Sequence, residues 1–258
     1  MRYVICHYHI YKNSGTSFDA LLTENFKNQH ICFDGPFPFF TIDQEQLTRI
    51  IDRKKNIIAF SSHQIQLPTP VSPDYTVLPV VFIRHPLLRI LSIYRFKRKN
   101  DDGTKTSKNA QIMDFDKWIE LCFHDAQEIT HISNAQTRLL GSEFRQRPLM
   151  RRSKDMIEYD LDQAKHNIQS VELLARTEYF NTDVKRFSGI LKKYNITFNV
   201  VNFDPKNTTN RNHKESQDVR LGEVEQLLSN KNYQRIINAN IQDLNLYEYT
   251  TKLIYENG

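Results

Sequence analysis

An α/β fold, with a central, mainly parallel sheet flanked by helices on both faces, is what the periodicity of this chain predicts. Two observations carry that expectation. Short apolar, β-branched runs recur at residues 3–7, 56–61, 77–83, 171–174 and 198–202. Between several of them lie segments with apolar residues at helical spacing, at 18–26, 87–96, 115–123 and 182–194. Strands alternating with helices need crossover connections, which make neighbouring strands parallel and put helices on both faces. Ligands of such sheets sit beyond the carboxyl ends of the strands.

Taken in order, the first strand runs into the polar stretch "HIYKNSGTS", residues 9–17, and then into the helix at 18–26. The strand at 56–61 delivers Ser62 and His63 to the sheet edge. The run at 77–83 ends at Arg84, and Pro86 suits the first turn of the helix that follows. A polar, basic loop at 204–214, containing Lys206, Arg211 and Lys214, is a candidate flap over the site. From Ser216 onward Val219, Leu221, Val224, Leu227 and Leu228, then Ile236, Ile237, Ile241, Leu244 and Leu246, read as helix.

The 258 residues suit one domain spanning 1–258, with no internal repeat or low-complexity tract. No apolar run approaches the roughly 18–20 residues of a membrane span, and Met1-Arg2 leads into no leader pattern, so a cytoplasmic protein without a span is expected. Three scattered cysteines fit a reducing compartment. Strand alternation would turn Cys6 away from His7 and His9, so no metal is expected there. The net charge of +5 is concentrated at 95–99 and 145–152, which read as solvated faces or as a surface for an anionic partner. Nucleic acid is not expected, because the interleaving of basic residues with aromatics that it needs has only slight support, from Tyr94, Phe96 and the nearby lysines.

Chemistry concentrates in two segments. A polar turn between a strand and a helix exposes backbone N–H groups, and the helix dipole adds partial positive charge, which suits a phosphate. Within "HIYKNSGTS", Gly15 keeps the approach clear, Thr16 and Ser17 offer hydroxyls, and Lys12 brings a full charge. An ordinary capped turn is the alternative. A Walker loop is excluded by order, since its lysine follows a second glycine whereas Lys12 precedes Gly15. In the second segment, "RHPLLRILSIY" at 84–94, Arg84 and Ser92 could hold a second phosphate.

These segments together resemble the sulfotransferases that use 3′-phosphoadenosine-5′-phosphosulfate (PAPS), in particular the carbohydrate O-sulfotransferase branch that contains the heparan sulfate 2-O-sulfotransferases. That branch opens on a pattern like H-x-P-K-[TC]-[GA]-G-[TS]-[ST], of which this chain keeps His9, Lys12, Gly15, Thr16 and Ser17 but has Tyr11, Asn13 and Ser14. Its second motif is similar to R-[DH]-P-x-x-R-x-x-S-x-Y. Further echoes lie at 134–139, 176–180 and 240–249.

The resemblance implies a P-loop-like fold and PAPS as co-substrate, with no metal required. By it, Lys12, Asn13, Ser14, Gly15, Thr16 and Ser17 hold the 5′-phosphate, and Arg84 with Ser92 the 3′-phosphate. Lys12 then stabilises the leaving phosphate oxygen and His63 is the general base, with His7 and His9 as reserves. The family pattern has a glycine beside that histidine, where this chain has Ser62. Gln136 and Arg138 fall in the acceptor region, and Arg95, Lys97, Arg98, Arg151 and Arg152 would suit an anionic glycan. A P-loop-like kinase for a nucleotide or small molecule, and a non-catalytic polyanion-binding module, are the rival readings.

Overall fold

The computed structural model describes residues 1–37, 40–141, 155–200 and 216–256. The basic cluster at 145–152 and the expected flap at 204–214 lie outside the described residues. Five strands form one sheet in the order β2-β3-β1-β4-β5. They are β1 (Arg2–Tyr8), β2 (His30–Cys32), β3 (Ala59–Ser62), β4 (Tyr75–Ile83) and β5 (Leu173–Arg176). Every pairing is parallel, so all the strands end along one edge.

Strand alternation sorts the apolar side chains into two layers. Ile5, Val80, Phe82, Leu173 and Ala175 face helices α1 (Gly15–Phe26) and α9 (Phe180–Lys192), where they meet Phe18, Leu22, Val184 and Phe187. Val4, Cys6, Phe60, Val81 and Ile83 face the other way, toward α2 (Gln44–Arg53), α8 (Leu161–Gln169) and α12 (Ile241–Glu256). Cys6 is therefore on the face opposite Phe18 and its layer. Residues 198–200 form no strand; Phe198 instead stacks on Phe26 at 6.1 Å between centroids and closes that layer.

A third core is built of helices alone. Here α3 (Pro86–Lys99) packs against α4 (Lys105–Ile112), α5 (Phe115–His124), α6 (Ile129–Ile132) and α10 (Gln217–Gln226), and α11 (Asn230–Ala239) packs against α5, in a core that holds the fully buried Trp118. The short helix α7 (Ala135–Leu140) links this part to α8 and α12. Side-chain caps fix where helices begin: Asp43 with Gln46 in a capping box for α2, Asp114 for α5, Asp160 for α8, Ser216 for α10 and Ser229 for α11. The two serines divide the expected helical tail, which continues into α12 after Asn240.

Within the helical core, Lys97 is 6% exposed and its ammonium meets Glu128 at 3.0 Å and Thr106 at 2.7 Å. Removing the carboxylate strands a buried charge. Glu128→Ala is expected to cost about 3–5 kcal/mol, read from the urea midpoint.

Candidate active site

The stretch between β1 and α1 is held by its carbonyls and side chains from beneath. Arg89 Nε donates to the Tyr11 carbonyl at 3.1 Å, and Arg84 Nη1 to the Lys12 carbonyl at 2.8 Å. Asn13, 1% exposed, turns its side-chain amide inward to the Phe82 carbonyl and to Gln136 Oε1, each at 2.7 Å. The backbone is left-handed at Lys12 (φ 67°) and at Ser14 (φ 62°), a costly conformation for residues with a side chain.

With its carbonyls turned inward, the stretch presents amides to the sheet edge. The N–H groups of Gly15 and Thr16, at the start of α1, have no acceptor among the described residues, and Ser14 makes no side-chain cap. Successive amides in such a turn form an anion-binding concavity, reinforced by the helix dipole. Gly15 is required for a second reason. A Cβ there would lie 1.9 Å from the His9 imidazole, so the ring packs directly on the backbone.

Cations gather at this place. Burial and the neighbouring Arg84 push the Lys12 ammonium down to about 8, and its Nζ rests 4.4 Å from the centroid of Phe96. Arg84 is itself pushed down to about 10 by burial. Its Nε lies 3.5 Å from Glu178, a buried carboxylate whose pKa is raised by burial. Arg220 of α10 adds positive charge near Arg84 and Glu178. Ser92 is mostly buried on α3. Ser17 is buried in the first turn of α1, and Thr16 is exposed there.

His63 stands exposed just beyond β3. Its Nδ1 lies 2.9 Å from the carbonyl of His9, which can only accept, so Nδ1 carries the proton and Nε2 the free lone pair. Asp34 Oδ1 fixes the turn by accepting from Ser62 Oγ at 2.7 Å and from the His63 N–H at 2.9 Å. The imidazole lies tilted by 35° against that of His9, 3.8 Å between centroids. Although the residue is exposed, partial desolvation of the ring and the proximity of His9 lower the His63 pKa from its ordinary value, which favours the neutral ring.

Behind it, Asp19 accepts from His7 Nδ1 at 2.7 Å and from His9 Nδ1 at 3.0 Å, and these two bonds hold its carboxyl far below the usual range against the opposing effect of burial. His7 is 1% exposed, so it does not reach an acceptor. Two sets of donor atoms come within 4.8 Å of one another, His7-His9-Asp19 and Asp19-His30-Cys32. Asp19 is engaged by His7 Nδ1 and the His30 nitrogens by Thr23 and Ser61, whereas His7 Nε2 is buried without a partner among the described residues.

Gln136, expected in the acceptor region, points inward. It is fully buried, accepts from Asn13 and from the Arg84 N–H (2.9 Å) and donates to the Arg84 carbonyl (2.8 Å). An amide with every bond committed inside has none for a substrate. Arg138 is half-buried on α7, close enough to Arg89 and His131 to repel their protonated forms. Arg89, Asp34 and Asp243 received no role from the sequence, although Arg89 and Asp243 fall within the resembling segments at 84–94 and 240–249.

Gly15→Ala tests the close packing of His9. The added methyl has to displace the imidazole from Asp19, at an expected cost of about 1–3 kcal/mol by urea unfolding.

A protein of unassigned function from Archaeoglobus fulgidus is 22% identical over 266 aligned positions, which cover 99% of this chain and 98% of its own. The family model described as the sulfotransferase family matches residues 1–250, which include the turn after β1, the end of β4, His63 and the Gln136–Asp243 contact. The parallel sheet with its anion-binding turn after β1 is the P-loop-like fold expected of that group, and the chain belongs to the sulfotransferase family.

Proposed function

We propose that this chain is a PAPS-dependent O-sulfotransferase, in one domain, acting on a hydroxyl of an acceptor for which the resemblance implies a carbohydrate. One observation carries the reading: the stretch that offers amides and Lys12 to an anion also anchors His63, through the His9 carbonyl. The cation for a leaving group and the base for a nucleophile therefore hang on one short piece of backbone. The residues present fit a bisphosphate nucleotide, since the uncapped helix start and the close-set cations Lys12 and Arg84 favour anions. The free thiols Cys6, Cys32 and Cys122 fit a cytoplasmic setting.

The donor supplies a sulfuryl group on a phosphate leaving group. Amides at Gly15 and Thr16, with the Ser14, Thr16 and Ser17 hydroxyls, hold its 5′-phosphate, and Arg84 and Ser92 its 3′-phosphate. Asn13 contributes by shaping the turn from below. His63 Nε2 takes the acceptor hydroxyl's proton as the oxygen bonds to sulfur. The bond from sulfur to the 5′-phosphate oxygen breaks, and Lys12 neutralises the charge left there. The resulting imidazolium faces the carboxylates Asp34 and Asp19.

Lys12→Ala is expected to lower kcat by on the order of 10²–10³, and His63→Ala by about 10²–10⁴, with the fold retained. Transfer from radiolabelled PAPS measures both; full activity of both variants would remove the assigned roles. In a thermal-shift comparison, 3′-phosphoadenosine-5′-phosphate is expected to stabilise the protein more than ATP does. Preference for ATP with magnesium would point to a kinase.

The pH dependence has a definite sign. His63 works only when neutral, so kcat/KM falls as pH drops through a value below 6.5. Lys12 works only when protonated, so kcat/KM falls again as pH rises through about 8. Lys12→Arg is expected to move the alkaline limb upward, because a guanidinium stays charged.

A further inference from the structure

The two sets of donor atoms that share Asp19 differ in kind. In the first, the carboxylate can only accept, so His7 and His9 turn Nδ1 protons toward it, not lone pairs, and the set is a closed hydrogen-bonded unit. The second set is Asp19, His30 and Cys32. His30 and Cys32 are two apart on β2, so they share one face of the strand, and Asp19 and Thr23 of α1 meet them there. The Thr23 hydroxyl gives its own proton to the Asp19 carbonyl at 2.8 Å, so at 2.9 Å from His30 Nδ1 it accepts. The imidazole lone pair is thereby left on Nε2, which lies 3.8 Å from Cys32 Sγ.

We propose that Asp19, His30 Nε2 and Cys32 form a site for a divalent transition-metal ion of the zinc type, with one position left open to solvent. Nitrogen and sulfur ligands of a tetrahedral zinc ion stand roughly 3.6 Å apart, so His30 and Cys32 are already near ligating separation, and an Asp19 oxygen lies within 4.8 Å of both donors. A ring N–H held by a hydroxyl is the outer contact that aims a ligating histidine. Thiolate with imidazole selects zinc-type ions over magnesium or calcium. Asp34, with Asp19, adds negative charge beside the sulfur, and the exposed Cys32 gives an entry path. Loading is a simple exchange: the Cys32 thiol proton leaves to solvent as the bond from sulfur to metal forms, and no electron moves. The Ser61 hydroxyl, 2.9 Å from Nε2, gives up that hydrogen bond. Asp19 keeps its bonds to His7 and His9, because each carboxylate oxygen has a second lone pair. The ion takes no part in the transfer step; it fastens β2, a three-residue strand at the sheet edge, to α1.

The full chain, stripped with EDTA, is titrated with Co²⁺ and then with Zn²⁺. A thiolate-to-cobalt charge-transfer absorption is expected, bleached by zinc, with about one proton released for each ion bound. Zinc at about 100 times its Kd is expected to raise Tm by roughly 5–10 °C. Cys32→Ser is expected to abolish the absorption and to weaken zinc binding at least about tenfold. Thr23→Val leaves every ligand in place but frees the ring, and is expected to weaken binding about 10–100-fold. Both positions are exposed, so the metal-free variants are expected to unfold within about 3 °C of the metal-free wild type, which shows that they fold. Lack of the sulfur absorption, its survival in Cys32→Ser, or no rise in Tm with zinc overturns the site. Zinc affinity unchanged in either variant marks an adventitious ion only and overturns it too. Each of these results leaves the sulfuryl-transfer reading standing.

Discussion

The Gln136 side-chain amide is the joint on which the turn after β1 and the end of β4 both depend. Its oxygen accepts from Asn13 in the β1–α1 turn and from the Arg84 N–H at the end of β4, while its nitrogen donates to the Arg84 carbonyl. Asp243, 1% exposed on α12, holds α7 in turn by accepting from the Gln136 and Thr137 N–H groups at 2.9 and 2.7 Å and from the Thr137 hydroxyl at 2.8 Å. Each such bond contributes only about 0.5–1.5 kcal/mol net, but leaving one buried member unpaired costs more than the bond returned. A satisfied buried network thus fixes one geometry. Two turns from different strands are thereby held in register by a third element and a fourth.

That rigidity makes an unfavourable concentration of charge sustainable. Lys12, Arg84 and Arg89 are crowded into a partly dehydrated region, and both arginines are pushed down to about 10 by burial. Relaxation would spread these cations into solvent. Arg84 and Arg89 are instead tied to the Lys12 and Tyr11 carbonyls, so the turn and the cations restrain each other. Positive charge fixed in advance needs no reorganisation when negative charge develops on a leaving group, which is the condition under which electrostatic stabilisation is strongest.

The large elements were legible because their periodicities are strong. Residues 77–83 and 87–96 are apolar in patterns that only a buried strand and a buried helix satisfy, and β4 and α3 follow them closely. The three residues of β2 are too short to show a period, and α2 is mostly polar, with only Leu47 and Ile51 buried. In the candidate site, Lys12, Gly15, Arg84 and His63 could be placed at the sheet edge from sequence because each follows the end of a strand whose period is readable. Roles that depend on which way a side chain points were not legible. Asn13 and Gln136 are amides that suit a ligand as well as each other, and sequence distance hides that they touch. Asp34 and Asp243 act from segments far along the chain from the groups they orient.

The departures from the resembled pattern now have physical reasons. Where that pattern has a glycine before the histidine, Ser62 uses its hydroxyl to donate to Asp34 and to accept from the Gln64 N–H at 3.0 Å, so hydrogen bonds shape the turn that a glycine would shape by freedom. Asn13 replaces a threonine and supplies the inward amide that Gln136 receives. Ser14 stands where a glycine or alanine is usual and is held left-handed, a strain of about 1–2 kcal/mol. Strain of that size persists only where the surroundings over-determine the backbone. The Asn13–Gln136–Arg84 network does so from below, and the His9 ring packed on Gly15 does so from beside. The less favourable turn residues and the dense network are therefore two halves of one solution: a turn strained locally to aim its amides outward, and a buried scaffold that keeps it from relaxing.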